Sequence, residues 1–442
     1  MSKTFPRTFL SLNRYFSTKK SYKRLQNELK TLPIFDYDSS GKDRNRVFVW
    51  GNVKSGALGV KYTKQKNLID TIRVPKRLGF AERHNVISVT SGFGFTIYAV
   101  DSKDNLKIYG NGLNTDSQLG LHLNEQKNPL EVIFFPQPIS LPIKNDTKIL
   151  KISAGRGHVA VLTNEGLFLF GNNSYGQCGR KIIENEDYFN SQHINRINKI
   201  NNERIKDVYC GQDHTIILSE TGKVYSCGWG ADGQTGLGHY NITYNFTQVN
   251  GDIKNEYITK ISCRSDFVMA LNEKGDVFGW GNTEYGQLIT PGNEQQVANP
   301  TYIVSTKNLG KIKDVATSGT SCMILNDSGD VFVWGYGILG TGPLVQHSEV
   351  PLLIPQTLFG RNDFNPTTEV IKIECGLSHS GVITNSGDLY VWGRNREGCL
   401  GLGHLDDQYF PLKVALGGEV KSVSCGLDHT VALCESFLSN KS

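Results

Sequence analysis

The stretch CGQDHTIILSETGKVYSCGWGADGQTGLG, residues 210–238, contains both repeating elements of this 442-residue chain. The first element is a short apolar run that ends in Trp-Gly or a close variant and is followed by a glycine loop. It occurs seven times at intervals of 53 to 61 residues, and seven copies at this period predict a ring of repeated β-units. A motif that recurs in every repeat is then architectural. The repeat glycines are Gly51, Gly110, Gly171, Gly228, Gly281, Gly335 and Gly393.

The second element, CGxxH, also occurs seven times, out of phase with the first. Each copy precedes an apolar run and usually a glycine turn, which together indicate strand–turn–strand units. The first Trp-Gly, in residues 47–51, has no CGxxH before it, and the last CGxxH, residues 425–429, has no Trp-Gly after it. We therefore expect an all-β, seven-bladed β-propeller closed by pairing of the N- and C-terminal strands in one blade. The close copies end at His214, His379 and His429, and the looser copies end at Phe95, His158, Phe267 and Cys322.

A large residue precedes the repeat glycine in six of the seven copies, and Cys227 is the exception. We expect these side chains to fill the wedge between neighbouring blades, each burying on the order of 150–250 Å². Their expected role is packing. They are Trp50, Tyr109, Phe170, Trp280, Trp334 and Trp392.

The first 27 residues contain seven basic residues and no acid, and their aromatic and basic residues separate onto two helical faces. Such a leader is typical of a mitochondrial transit peptide, here residues 1–16. Removing it would lower the formal net charge from +5 to +2, so bulk charge does not favour non-specific nucleic-acid binding. A polar lead-in (17–45), the propeller (46–437) and a tail (438–442) follow. We place the repeats at about 46–101, 105–164, 166–220, 223–273, 276–327, 330–385 and 388–437.

Composition argues against metal, disulfide and membrane-spanning classes. The nine cysteines form no C-x-x-C pair, and one Cys and one His per blade do not supply the four converging ligands of a zinc site. Free buried thiols suit a reducing interior. No run of 18 apolar residues is present. We expect no cofactor and no metal.

Two motifs that suggest chemistry are better interpreted as parts of the repeat. Residues 228–235 match G-x-G-x-x-G, but Gln234 stands where a phosphate-binding loop needs Lys, and no helix is expected behind it. Asp213-His214 and Asp428-His429 resemble acid–base dyads, yet adjacent strand residues point to opposite faces. We expect each such His to bond a neighbouring loop. We expect no catalytic residues and no enzyme.

Two regions depart from the repeat and supply the candidate partner-binding residues. One is the polar segment 180–206, with Arg180, Lys181, Arg196 and Arg204; a solvated insertion is the alternative interpretation. The other is the fourth glycine loop, where residues 236–243 offer a loop tip that could anchor a partner or pack on itself. Its candidates are Asp232, Gln234, His239, Tyr240 and Asn241.

The repeats resemble those of the regulator of chromosome condensation family over about residues 46–437. Residues 172–181, 227–243 and 331–340 closely resemble the mitochondrial type of that family, as do residues 55–60 and 407–411. The resemblance implies a seven-bladed propeller in the mitochondrial matrix or peripheral to the inner membrane. We find no counterpart of the founding type's β-wedge or of its basic nucleosome-binding tail, so chromatin is not an expected partner.

The resemblance implies two functions. The first is a non-enzymatic scaffold that supports biogenesis of the large mitochondrial ribosomal subunit through assembly proteins and large-subunit rRNA. The alternative is a guanine-nucleotide exchange factor for a mitochondrial, dynamin-like GTPase, acting without covalent chemistry.

Overall fold

The structure, a computed structural model, describes residues 45–60, 70–288 and 294–435. The predicted transit peptide, nearly all of the lead-in and the tail lie outside the described residues. Within them the chain forms β-strands and three short 3-10 helices, Gly251–Ile253, Val304–Thr306 and Gln356–Phe359. The strands are β1 Arg46–Asn52, β2 Thr71–Arg77, β3 Val86–Ser91, β4 Phe95–Val100, β5 Ile108–Leu113, β6 Val132–Pro138, β7 Ile149–Ala154, β8 His158–Thr163, β9 Gly166–Gly171, β10 Ile194–Ile197, β11 Ile205–Cys210, β12 His214–Ser219, β13 Val224–Gly228, β14 Thr243–Gln248, β15 Ile258–Cys263, β16 Phe267–Asn272, β17 Val277–Asn282, β18 Gln296–Tyr302, β19 Ile312–Thr317, β20 Ser321–Asn326, β21 Val331–Tyr336, β22 His347–Ile354, β23 Val370–Cys375, β24 His379–Thr384, β25 Leu389–Gly393, β26 Gln408–Lys413, β27 Glu419–Cys425 and β28 His429–Glu435.

These strands form seven four-stranded antiparallel sheets, the blades of a β-propeller. Blade 1 has the order β27-β28-β1-β2, and blades 2 to 7 follow as β3–β6, β7–β10, β11–β14, β15–β18, β19–β22 and β23–β26. In blade 1 the first and last strands of the described chain pair directly, from Arg46 opposite Cys434 to Gly51 opposite His429. The predicted closure by both chain ends is confirmed.

The first strands of the blades form the inner ring of the propeller. Each of them contacts the first strand of the next blade, and the series β3, β7, β11, β15, β19, β23, β27 returns to β3. The ring is therefore closed, and its seven strands line a central channel. Each sequence repeat supplies the third and fourth strands of one blade and the first two strands of the next; residues 105–164, for example, contain β5 to β8.

The second strands form the most buried layer, and four of them, β4, β8, β12 and β16, are buried along their whole length. Because both faces of such a strand pack against neighbouring blades, its sequence is a continuous apolar run rather than an alternating one. The tryptophans fill the wedges between blades, as expected. Three of the indoles also donate across the blade junction to a glycine-loop carbonyl: Trp50 to Cys399, Trp280 to Gln234 and Trp334 to Gln287, at 2.7 to 3.0 Å.

Two repeat positions assigned from sequence are wrong in register. In blade 2 the repeat glycine is Gly112, not Gly110: it pairs with Phe95 and has φ +117°, and a Cβ there would lie 2.4 Å from the Gly94 carbonyl oxygen. Asn111 therefore takes the wedge position that we expected Tyr109 to fill. The Tyr-Gly pair misled because it lies two residues earlier, on the same face of the strand.

In blade 6 the residue equivalent to the histidine of CGxxH is Ser321, which pairs with Gly335, and not Cys322. A tyrosine or a cysteine near the expected spacing was thus mistaken for the repeat residue. Only the pairing with the neighbouring strand settles these two positions.

Candidate functional site

One face of the propeller carries all the glycine loops. In each blade the loop after the first strand and the loop after the third strand emerge together, because the strands are antiparallel. We call this the glycine-loop face. The opposite face, which we call the turn face, carries the turns between second and third strands and the connections between blades.

Glycine is required where the chain leaves the third strand. Gly228 has φ +117°, and a Cβ there would lie 2.5 Å from both the Asp213 carbonyl oxygen and the His214 Cα. The loop then continues through Gly233 and Gly236, both with positive φ, and enters β14. Because a strand and not a helix follows, the loop has no helix N-terminus for a phosphate, in agreement with its interpretation as architecture.

The recurring histidines belong to a relay that fastens one blade to the next. His158 Nε2 lies 2.9 Å from Thr215 Oγ1, and that hydroxyl donates to the Gln177 carbonyl at 2.7 Å. A hydroxyl has one proton, so the histidine must be the donor and carry its proton on Nε2. The partner is thus a strand hydroxyl on the next blade, with a loop carbonyl behind it, and not the loop alone that we expected.

The same relay occurs at two further junctions. His379 contacts Thr430, which donates to the Cys399 carbonyl, and His429 contacts Thr96, which donates to the Ala57 carbonyl. Burial lowers the pKa of His158 and of His379 to about 3, which keeps both rings neutral. These histidines fasten neighbouring blades. We expected Asp428 and His429 to point apart, but Asp428 precedes β28, and its Oδ1 lies 3.5 Å from His429 Nδ1.

His214, between blades 4 and 5, is the exception. It is fully buried, and neither ring nitrogen has a hydrogen-bond partner. The reason is that Val268 occupies the position in blade 5 that Thr215, Thr430 and Thr96 hold in other blades. Burial lowers the pKa of His214 to about 3 as well.

A carboxylate group lies on the glycine-loop face near this junction. Arg156 pairs with Asp213 at 2.7 Å, yet burial raises the pKa of Asp213 to about 6, and the neighbouring Asp266 and Asp116 add to the shift. Burial also raises the pKa of Asp266. Asp232, on the adjacent loop, accepts a hydrogen bond from Gln296 at 2.8 Å. This part of the face is therefore acidic.

Aromatic pairs flank the carboxylates on both sides. Tyr175 of the blade 3 loop packs on Trp229 of blade 4, with ring centroids 4.6 Å apart. Tyr285 of the blade 5 loop stacks on Tyr336 of blade 6 at 5.9 Å, and Tyr336 is 46% exposed. Partly exposed aromatic rings beside charged groups are the usual anchors of protein interfaces.

The basic candidates of segment 180–206 do not form one surface. Arg180 pairs with Glu186, and both side chains are only 11% exposed, so Arg180 fastens its own loop. Arg196 lies on β10, where it bonds Glu165 and stacks over Phe168. The segment is also not an insertion, because it contains β10, the fourth strand of blade 3.

The two exposed basic residues of this segment, Lys181 and Arg204, lie on opposite faces of the propeller. Lys181 lies in the loop before β10, on the glycine-loop face, and Arg204 lies in the connection after β10, on the turn face. A strand carries its two flanking loops to opposite faces of the blade, which a linear sequence of basic residues does not reveal.

The candidates of the fourth glycine loop do come together, at the junction with blade 5. Gln234 is fully buried and donates to Asp266 at 2.9 Å, so it is a structural residue. Tyr240, 49% exposed, donates to the carbonyl of Gln296, the residue that also bonds Asp232. His239 Nδ1 accepts from the Asn241 amide at 3.2 Å, so the loop tip is partly self-packed.

Sequence reasoning missed the charged lining of the channel. Lys151 pairs with Asp207 of the next blade at 3.1 Å, and Lys260 pairs with Asp314 in the same way. Arg264 reaches from blade 5 to the Ser91 carbonyl of blade 2 at 3.0 Å. The sequence does contain a signal for these charges. In blades 3 to 7, the residue three positions before the CGxxH element is Lys or Asp, namely Lys151, Asp207, Lys260, Asp314 and Lys372.

The cysteines and the described residues as a whole offer no metal chemistry. All nine cysteines are buried free thiols, and burial raises the pKa of Cys210 to about 12. No group of three potential ligands converges anywhere in residues 45–60, 70–288 and 294–435. Over the same ranges, no helix has the length and apolar character of a membrane span.

Comparison with known proteins places these features in context. The profile of the regulator of chromosome condensation (RCC1) repeat matches residues 44–99, 107–162, 164–218, 274–325, 328–383 and 386–433. The chain is 44% identical over 426 residues to the RCC1-like G exchanging factor-like proteins of Mus musculus and Homo sapiens, covering 92% of this chain and 91% and 90% of theirs. The crystal structure of human WBSCR16 superposes with a TM-score of 0.83 at 46% identity, covering 89% of this chain and 99% of that one. Yeast RCC1 (Prp20), solved with Kap60, shares the fold at a TM-score of 0.73 and 17% identity, covering 89% of this chain and 90% of that one.

Proposed function

Because this chain belongs to the regulator of chromosome condensation (RCC1) repeat family, we propose that it acts by binding partners, as a mitochondrial scaffold for assembly of the large ribosomal subunit. It performs no covalent chemistry of its own in this proposal. The leader of residues 1–16 supports delivery to the mitochondrial matrix.

The observation that carries the proposal is where the most family-specific stretches lie. Residues 172–181 and 227–243, which resemble the mitochondrial type, are both on the glycine-loop face, and Tyr175 and Trp229 join them. They bring aromatic rings, Asp232 and the exposed Tyr240 to adjoining parts of one face.

We place the two kinds of partner on different faces of the propeller. The carboxylates of the glycine-loop face repel phosphate groups, so this face suits a protein. On the turn face, each first strand has a β-bulge near the channel mouth, and the bulged residues include the exposed Lys206 and Lys313. Lys206 also lies over the Tyr257 ring at 5.2 Å. Lysines beside an aromatic ring suit RNA, so we assign the rRNA contact to this mouth.

The test is sedimentation of the full-length protein with ribosomal precursors in mitochondria. Trp229→Ala and Tyr336→Ala should reduce co-sedimentation, while Phe364→Ala, a 95% exposed aromatic in the connection between β22 and β23 on the turn face, should not. Crosslinking to large-subunit rRNA should fall in Lys206→Glu/Lys313→Glu. The proposal is wrong if the protein is excluded from mitochondria or sediments independently of precursors.

The second candidate function is guanine-nucleotide exchange, favoured by the names of the relatives that are 44% identical, which are RCC1-like G exchanging factor-like proteins. All strands of the described residues belong to the seven blades, and for this function we place the exchange surface on loops of the glycine-loop face. Such a loop mechanism requires tighter binding to the nucleotide-free GTPase than to the loaded one. Release of labelled GDP from a purified mitochondrial dynamin-like GTPase measures it, and unchanged release at saturating protein would exclude it.

A further inference from the structure

Blade 3 departs from the other six at its outer edge. In the other blades the fourth strand reaches the repeat glycine of the third strand, after a register shift. In blade 3 the pairing stops one residue earlier, at Phe170 opposite Ile194, and β10 runs for only four residues without a shift. The six pairs present elsewhere are Gly51–Ile72, Gly112–Ile133, Gly228–Thr243, Gly281–Val297, Gly335–Ser348 and Gly393–Gln408.

A cavity of about 430 Å³ lies where this pairing stops. Gly171 itself lines it, with Phe170 and Ile139 as buried apolar walls. His122 and the exposed His193 contribute polar groups from blades 2 and 3. No Asp, Glu, Lys or Arg is among the residues that line this cavity.

The chain's own segment before β10 lines the cavity, through Ser191, Gln192 and His193, but does not pair with Gly171. Ser117 of blade 2 donates to the Phe189 carbonyl at 3.0 Å, and Asn195 donates to the Cys178 carbonyl at 2.8 Å. The ion pair of Arg180 and Glu186 closes the same loop on itself. In the pairing of blade 3, no residue of 172–193 is opposite Gly171, so the start of the fourth strand is missing there.

We infer that this cavity is a docking site for an extended peptide segment of a partner protein, which adds a short strand at Gly171 and inserts one large uncharged side chain. An incomplete strand edge beside an apolar cavity is the arrangement that β-strand addition uses: the backbone supplies affinity, and pockets for alternate side chains supply specificity. This inference holds whichever of the two proposed functions is correct.

The chemistry of the lining determines which side chain enters. An ionised side chain would lose its hydration without gaining an opposite charge, which is unfavourable. A Leu or Phe side chain gains burial against Ile139 and Phe170. The pKa of His122 is lowered by burial, and its Nε2 is bonded to the Leu119 carbonyl, so this ring stays neutral and adds no charge to the cavity.

The direct test uses fluorescein-labelled, end-blocked hexapeptides Thr-Val-X-Val-Thr-Lys with X as Leu, Phe, Asp or Lys, titrated by anisotropy against the full-length protein. The Leu and Phe peptides should bind at least 10-fold more tightly than the Asp and Lys peptides. Replacing the Val before X by Pro should abolish binding, because Pro cannot donate to a strand.

Ser140→Trp, at an exposed position of the cavity rim, should weaken the Leu peptide at least 10-fold. The matched control is Asn250→Trp, the equivalent position of blade 4, since Ile139 and Val249 make the same backbone bond before them and blade 5 has its complete strand. Gln192→Trp fills the cavity from the opposite wall and serves as the second variant, in case the first fails to fold. No binding of either apolar peptide up to 1 mM, equal binding of the Asp peptide, or unchanged binding in a folded Ser140→Trp or Gln192→Trp protein would each overturn the inference.

Discussion

Val268→Thr should stabilise the propeller, because it completes the hydrogen-bond relay at the one histidine that lacks it. At the junction of blades 7 and 1, Thr430 contacts His379 at 2.8 Å and donates to the Cys399 carbonyl at 2.7 Å, which Trp50 also bonds. At the junction of blades 4 and 5 the same parts are present: His214, the Gln234 carbonyl and the Trp280 indole on it at 3.0 Å. Only the hydroxyl is missing.

The magnitude follows from two opposing terms. Leaving a buried polar group such as the His214 ring N–H without a partner costs about 1–3 kcal/mol. Replacing a buried methyl by a hydroxyl loses about 0.8 kcal/mol of apolar burial, and the hydroxyl itself keeps both partners. We therefore expect a net gain of about 1 kcal/mol for Val268→Thr. The reverse change, Thr430→Val, should cost about 1–3 kcal/mol because it leaves the His379 donor unpaired.

Urea unfolding followed by tryptophan fluorescence measures both variants, with thermal melting as the second readout. In a domain of this size 1 kcal/mol shifts Tm by only about 1 °C, and the urea midpoint shift is also small because m grows with size, so the free energies of unfolding are compared from full urea curves. A Val268→Thr protein with a lower midpoint than the wild type would refute the reasoning. So would a Thr430→Val protein that is as stable as the wild type.

Three further changes test the remaining structural assignments. Acidification from pH 7.5 to 5 should lower the urea midpoint. The pKa values of His158, His214 and His379 are about 3 in the folded protein, below the unfolded value of 6.5. The unfolded chain therefore binds more protons than the folded one, and stability is lost as the pH falls through this window. The raised pKa values of Asp213, about 6, and of Asp266 and Glu374 oppose this by at most one proton each, while the lowered pKa values of His84 and His122 add to it. A flat or rising midpoint would contradict the assignment. Gly228→Ala should lower the unfolding free energy by about 3 kcal/mol or more, because φ is +117° and a Cβ would meet backbone atoms at 2.5 Å. The control is Gly79→Ala, where a Cβ meets nothing within 4 Å and the change should be less than about 0.5 kcal/mol. Equal effects of the two variants would refute the geometry. Arg180→Ala should lower the unfolding free energy by about 2–3 kcal/mol, measured by thermal or urea unfolding, because it leaves the poorly exposed Glu186 unpaired. Lys181→Ala, at an exposed position, should have little effect. If Lys181→Ala were the more destabilising variant, Arg180 would again be a candidate for partner binding.

The spacing of the repeats was enough to predict the architecture. Local signals, namely apolar runs bounded by glycine turns, predicted strands, and the unpaired first and last elements predicted that both chain ends share blade 1. This worked because each blade is built from local hairpins, whose strands are neighbours in sequence. The signals failed at Gly110 and Cys322, where two nearby residues fitted the spacing equally well and only cross-strand pairing distinguishes them.

The candidate site was less accessible from sequence. The spacing selected the correct loop around Asp232 and Tyr240, but it could not tell that Gln234 is buried or that Arg180 and Arg204 lie in loops on opposite faces. The acidic and aromatic groups of the glycine-loop face come from five different blades, so their proximity is invisible in any one repeat.

The amino-acid sequence alone thus determined the number of blades, the ring closure and the packing role of the repeated tryptophans, because these depend on patterns within about 60 residues. Tertiary structure decided the rest: the hydroxyl that each histidine meets, the charge pairs of the channel, and the incomplete edge of blade 3. The physical reason is that all three are contacts between blades or between strands. Their energies depend on which atoms the closed ring brings within hydrogen-bonding distance, and not on the spacing of residues along the chain.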